Sequence, residues 1–366
     1  MTMSGDDYSQ DFSFTAAGNY NTEYSTYYDF DEESNGMCRK SDVRQFAQYF
    51  LPPFYIIVFV LGFVGNILVV VIYAFYKRTK TMTDVYLLNL AIADLLFLCT
   101  LPFWALDAKS EWIFGNFLCK TIKSIYKINF YSCMLLLTCI SIDRYIAIVK
   151  AIKAYASKSK ILLHSKLISL IVWVTAVMLS LPEFCYSLKD EAQRTCSIVY
   201  PEKILKAAGF AVQVTVGFFL PFAVMTFCYS MIIWKLLQAK SFQKHRAIKV
   251  IVAVVGVFVL SQLPYNSIVI VQAMDAVNIT ITDCKILKNL DIATMITKSM
   301  AFLHACLNPF LYAFIGVKFR QDLLKMMKDI GCVSQQRLRR LIKPQQDSCK
   351  RSSVHSETVT TATLSL

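Results

Sequence analysis

A carboxylate, two carboxamides and an acid–base pair stand inside long apolar runs of this 366-residue chain. Asp94 lies in Leu90-Ala91-Ile92-Ala93-Asp94-Leu95-Leu96, Asn66 follows Gly65, and Asn308 opens Asn308-Pro309-Phe310-Leu311-Tyr312. Asp143-Arg144-Tyr145 closes a run that starts at Cys119. An ionisable group in apolar surroundings is costly unless paired, so it marks a site. The chemistry open to these residues is non-covalent. Asn66, Asp94 and Asn308 can form a buried hydrogen-bonded network, and Asp143 can hold and release the Arg144 guanidinium. A purely structural polar knot is the plainer reading of the three deep groups. No Ser-His-Asp set, metal-ligand cluster or phosphate loop is visible in the sequence, and there are four histidines in all. The expectation is therefore no enzyme, no cofactor and no metal.

The elements that position these groups must be long helices. As one helix, the steps from Cys119 to Arg144 rise roughly 38 Å, more than the ~30 Å hydrocarbon core of a bilayer. Cys119 would then sit at one water face and the acid–base pair near the other. Apolar runs at about 53–76, 85–106, 118–145, 166–183, 207–234, 248–273 and 290–315 predict seven spans. In lipid only helices or closed barrels satisfy the backbone, and unalternating runs of this length mean helices. The chain is 56% hydrophobic and 17% charged, against about 25% charged in soluble domains. The predicted class is an all-α membrane protein, a seven-helix bundle. No basic segment precedes an early apolar run, so the run beginning near Phe54 reads as a signal anchor. Pro102, Pro182, Pro221, Pro264 and Pro309 interrupt five spans and permit kinks.

A net charge of +13 could suggest nucleic acid, but its distribution excludes that reading. Residues 1–37 hold eight acids and no Lys or Arg. The positive charge lies in links: Lys77, Arg78 and Lys80; Lys150, Lys153, Lys158 and Lys160; Lys235, Lys240, Lys244, Arg246 and Lys249. The alternate links mix signs, so the positive-inside rule places the amino terminus outside and the carboxyl terminus in the cytosol. Four segments follow: an acidic extracellular arm over 1–52, read as disordered over 1–37, the bundle over 53–315, an amphipathic surface helix over 316–330, and a Ser/Thr-rich disordered tail over 331–366. Cys332 is a candidate for palmitoylation, and the tail for phosphorylation. Asn278-Ile279-Thr280 is a glycosylation sequon in an outer link.

Of twelve cysteines, Cys38, Cys119, Cys196 and Cys284 fall on the outer side. An even outer set implies two disulfides, with three pairings open. Cys119 with Cys196 would tie the third span to the link between the fourth and fifth. Cys38 with Cys284 would tie the arm's base to the last outer link.

These residues, in order and one set per span, resemble the rhodopsin-like G-protein-coupled receptors over about residues 38–335. The likeness rests on Gly65-Asn66, Leu90 to Asp94, Cys119, Asp143-Arg144-Tyr145, Trp173, Pro221, Tyr229, Pro264 and Asn308-Pro309-Phe310-Leu311-Tyr312. Asp143-Arg144-Tyr145-Ile146-Ala147-Ile148-Val149, Thr100-Leu101-Pro102-Phe103-Trp104 and Trp112 are similar to the chemokine receptors. Within the C-C branch, Lys80 to Asp84, Asn129 to Cys133 and Val257 to Asn266 lean toward one receptor type. Phe314 to Arg320 leans toward a second.

The resemblance implies a basic C-C chemokine as ligand, the thymus-expressed chemokine in particular. It implies an inhibitory-type heterotrimeric G protein, calcium release and leukocyte chemotaxis, with receptor kinases and arrestin acting on the tail at the plasma membrane. Tyr24, Tyr27 and Tyr28 in the arm would be ligand contacts, and with Tyr8 they resemble sulfation sites. The pocket would be lined by Trp104, Tyr126, Lys127, Tyr265 and Lys298. The coupling switch would comprise Asp143, Arg144, Tyr145, Tyr229 and Tyr312. Three departures stand out. Gln262 replaces a switch Trp. Lys298 replaces a Glu that meets the ligand's amino terminus. His304, Ala305 and Cys133 replace small polar residues that help Asp94 hold sodium. A scavenging receptor would show a degraded Asp-Arg-Tyr motif, and a transporter internal repeats; neither is seen here.

Overall fold

A computed structural model describes residues 38, 40–76, 81–150, 158–190, 194–238, 244–277, 283–315, 317–329 and 331. Among the described residues, seven helical stretches are long and apolar enough to cross a bilayer. Two of them are interrupted rods. The second span is α2 (Met82–Leu98) followed by α3 (Leu101–Lys109), and the seventh is α9 (Cys284–Phe302) followed by α10 (His304–Ile315). The others are α1 (Ser41–Val70), α4 (Gly115–Tyr145), α5 (Lys158–Tyr186), α6 with α7 (Lys203–Val214, Leu220–Gln238), and α8 (Lys244–Val277). A further helix, α11 (Val317–Asp329), follows the bundle. A two-stranded antiparallel ribbon, β1 (Ser187–Asp190) with β2 (Thr195–Ile198), lies between α5 and α6. The chain is thus a multi-pass membrane protein, a seven-helix bundle with an eighth helix.

Local chemistry sets several boundaries. Thr81 caps α2 reciprocally with Asp84: the Asp84 amide donates to the Thr81 hydroxyl at 3.2 Å, and the Thr81 amide donates to the Asp84 carboxylate at 3.0 Å. Asp283 caps α9 by accepting from the amides of Lys285 and Ile286. The break between α2 and α3 falls at Cys99-Thr100, just before Pro102. Pro221 has no N–H to offer the preceding turn, and a π-helical turn at Thr215–Phe219 takes up the mismatch between α6 and α7.

α4 is the central rod, packed against α2, α5 and α7. One core cluster gathers Tyr55, Phe97, Trp104, Tyr126 and Phe302 at the end of α4 that carries Cys119. Another joins Phe130, Met134, Phe218 and Phe258. Large apolar side chains such as Ile57, Val64, Leu167 and Leu181 are exposed on the outer faces, where lipid replaces protein as their surroundings. α1 begins at Ser41, twelve residues ahead of the apolar run expected from about residue 53. Asp42, Arg44, Gln45 and Gln48 make that first stretch too polar for a hydropathy reading, although it is helical.

Candidate functional site

Two sites lie at opposite ends of α4, joined through a polar core. At the Cys119 end, Cys119 and Cys196 form a disulfide that fastens β2 to α4. Cys38 and Cys284 are also each disulfide-bonded. The ribbon is held further by the Lys189 amide donating to Asn116 Oδ1 at 2.7 Å and by the Trp112 amide donating to the Arg194 carbonyl at 2.7 Å. Gly115, with φ at +75°, starts α4 in a left-handed conformation open to glycine. Its carbonyl accepts from the Trp112 indole at 2.8 Å.

Beneath this rim is an aromatic cup. The Tyr126 ring lies 6.4 Å from Trp104 and 5.2 Å from Phe302, and the Tyr265 phenol sits beside that of Tyr126. The Lys298 ammonium is 4.6 Å from the Trp104 ring centre and 5.2 Å from that of Tyr126. Trp104, Tyr126, Tyr265 and Lys298 are therefore brought together. Lys127 is otherwise engaged: it pairs with Glu183 at 3.0 Å and donates to Gln213 Oε1 at 2.5 Å, all three being buried. Glu183 and Gln213 are absent from the sequence reading, as is Lys123, whose ammonium is 4.3 Å from the Trp104 ring centre. An acid within Leu181-Pro182-Glu183-Phe184 was the available signal.

The polar core lies deeper. Asp94 is fully buried. Its Oδ2 accepts from Asn308 at 2.9 Å, and its Oδ1 accepts from Asn129 at 3.1 Å and from the Cys133 thiol at 3.4 Å. Asn66 donates to the carbonyls of Ala305 and Gly62 at 2.7 and 2.9 Å, which ties α1 to α10 beside that network. His304 Nε2 is 3.7 Å from Asp94 Oδ1, and its Nδ1 is 2.6 Å from the Ala301 carbonyl. No metal-type cluster was visible in the sequence, yet Asp94, Cys133 and His304 bring their ligand atoms within 4.8 Å of one another. They come from three spans, so no local spacing could reveal them. The set does not fit sodium: the thiol and imidazole are soft donors, where a hard cation takes oxygen, and three donors already occupy the Asp94 oxygens. Gln262, buried, donates to the Ala301 carbonyl at 3.3 Å. It tethers α8 to α9 at the position of the missing Trp.

At the other end of α4, Arg144 Nη2 donates to Asp143 Oδ2 at 2.7 Å and to Thr83 Oγ1 at 2.6 Å. Thr83 in turn donates to Asp143 Oδ2 at 2.6 Å. Arg144 is thereby latched to its neighbour and to the first turn of α2. The Tyr145 ring lies against that of Phe227, with centres 5.8 Å apart and planes tilted by 50°. Tyr229 faces a cavity that Met134, Phe258, Gln262 and Asn308 also line. For Tyr312 the structure describes the backbone alone, within α10. Tyr24, Tyr27, Tyr28, Asn278 and Cys332 lie outside the described residues.

Comparison with known proteins gives the same reading. Residues 65–312 match the family described as 7 transmembrane receptor (rhodopsin family). The chain is 50% identical over 335 residues to the C-C chemokine receptor type 9 of Mus musculus, covering 90% of this chain and 88% of that one. It is 52% identical over 303 residues to the type 9 receptor of Homo sapiens, covering 81% and 82%. It is 49% identical over 336 residues to the C-C chemokine receptor type 7 of Homo sapiens, covering 90% and 88%. Types 9 and 7 are the two toward which the segments quoted above lean. The chain belongs to the rhodopsin family of seven-transmembrane receptors, and within it to the C-C chemokine receptors, a non-enzymatic class.

Proposed function

We propose that this receptor is activated by a C-C chemokine, the thymus-expressed chemokine foremost. It then engages an inhibitory-type heterotrimeric G protein, releasing calcium and directing leukocyte chemotaxis. The latch at Arg144 carries this reading. A paired guanidinium at the end of the central rod, with Tyr229 beside a cavity, has a held state and somewhere to go. The arm faces outward and the basic links face the cytosol of a cell whose plasma membrane holds the bundle. The acidic arm attracts a basic ligand over long range. Tyr24, Tyr27 and Tyr28 contact it, and its free segment enters the cup at Trp104, Tyr126, Tyr265 and Lys298, with Lys127 at the wall.

Ligand pressure then repacks the kinked spans. Arg144 leaves Asp143 and Thr83 for Tyr229 and Tyr312, and a groove opens for the G protein. Asn278 carries a glycan outside, Cys332 a palmitoyl chain inside, and kinases and arrestin act on the tail.

Calcium-flux and cyclic-AMP assays with a chemokine panel test this. A calcium rise with a fall in cyclic AMP is expected. Chemokine uptake with neither signal would establish the scavenging alternative. Arg144→Ala should abolish signalling and leave chemokine affinity within a few-fold of the parent.

A further inference from the structure

The aromatic cup is lopsided in charge. Three ammoniums reach its walls: Lys123 and Lys127 from α4, and Lys298 from α9. Lys127 is neutralised by Glu183. Lys123 and Lys298 make neither an ion pair nor a hydrogen bond among the described residues; both instead lie over the Trp104 ring, at 4.3 and 4.6 Å from its centre. Among the described residues, the carboxylate that acts on both is Asp107 on α3, which accepts from the Cys196 amide at 3.5 Å. Two cations therefore share one distant anion. A ring face offsets an ammonium's lost hydration only in part, so the cup retains unspent attraction for negative charge.

A second observation points the same way. Trp104 is 7% exposed, and its indole N–H has no acceptor among the described residues. A buried donor without a partner is rare and invites an acceptor. The ring that both ammoniums approach thus presents an N–H at its edge that finds no acceptor among the described residues. A carboxylate entering there would find an indole donor and two ammoniums, as charge-assisted hydrogen bonding requires. A leading free amine would meet two like charges and no acid in contact with either.

Resting on the receptor reading above, we infer that the segment a C-C chemokine inserts into this cup carries a carboxylate side chain, held by Lys123, Lys298 and the Trp104 N–H. Ligand selection at this depth is selection for an acidic peptide segment. Chemokines whose inserted segment lacks an acid are refused because nothing offsets the two ammoniums.

The test uses the full receptor in cell membranes and the chemokine that first raises calcium in the panel. Every Asp and Glu ahead of that chemokine's first cysteine is changed to its amide. Loss of about tenfold to hundredfold in potency is expected, the size of a charge-assisted hydrogen bond. Lys298→Glu should lose a similar factor, and part of it should return when the same chemokine positions carry Lys. Lys298→Met separates binding from folding. Removing an ammonium that has no partner should leave the thermal midpoint unchanged or raised while potency falls; Lys109→Gln, exposed on the rim, should change neither. Full potency of the amide-substituted chemokine would overturn the inference and leave the receptor reading standing, as would an active ligand with no acid in that segment. A fallen midpoint in Lys298→Met with unaltered potency would show that the lysine braces the bundle. Silence of every chemokine would defeat the receptor reading itself.

Discussion

Lys127 holds Glu183 at 3.0 Å and Gln213 at 2.5 Å, in a place where water reaches none of the three to any extent. A buried ion pair adds little net stability, but removing one partner strands the other charge, at a cost of about 3–5 kcal/mol. Glu183→Gln should therefore lower the thermal midpoint of the purified receptor, whereas Glu183→Gln with Lys127→Met should recover much of that loss. Thr83 makes a milder case. Its hydroxyl both accepts from Arg144 and donates to Asp143, so Thr83→Ala loosens the latch without breaking it. Raised basal signalling is the expected outcome, read as ligand-independent suppression of cyclic AMP. Basal output equal to the parent's would mean that Asp143 alone restrains Arg144.

At the level of elements, helix contacts depend on residues too small to catch the eye in a hydropathy reading. A Cβ placed on Gly65 would come within 2.9 Å of Pro309 Cβ. Neither backbone can yield cheaply, because Pro309 is inside α10 and Asn66, the next residue, is bonded to the Ala305 carbonyl. Gly65→Ala should cost about 1–3 kcal/mol through overpacking, measurable as a lower thermal midpoint. The seven rods, the amphipathic helix after them and the polar residues within them were legible because lipid enforces length and apolarity. Rod ends were not, since α1 continues through Asp42 and Arg44, beyond what hydropathy can register. Contacts between distant rods were also hidden. Lys127 and Glu183 are each visible as charges in apolar surroundings, but nothing in their neighbourhoods pairs them. The Asp94, Cys133 and His304 grouping exists only once three rods pack, and only the family resemblance set those positions side by side beforehand. Trp104, Tyr126 and Lys298 were found only because a family resemblance marked those positions.

For the molecule as a whole, the disulfide between Cys119 and Cys196 spans a sequence separation of 77 residues. Cross-links of this kind typically contribute about 2–5 kcal/mol, so Cys196→Ser should reduce surface expression and thermal midpoint together. Deleting residues 1–37, with their eight acids, should slow chemokine capture chiefly at low ionic strength, because long-range attraction is screened within about 10 Å at 0.1 M salt. Association rates at two salt concentrations check this. A deletion that alters only dissociation would assign the arm to contact rather than to attraction. The seventh span, like the second, is a two-piece rod with functional side chains on both halves. α9 bears Lys298 in the cup, α10 bears Asn308 on Asp94, and Leu303 alone stands between them. Around Leu303 the ladder tightens, Leu303 donating to the Met300 carbonyl and Cys306 to the Leu303 carbonyl at 3.1 Å each, while Leu307 keeps its bond to Leu303 at 2.9 Å. A tightened turn is where a helix bends most readily, so a ligand's contact at Lys298 should reach Asn308 chiefly as a change of tilt.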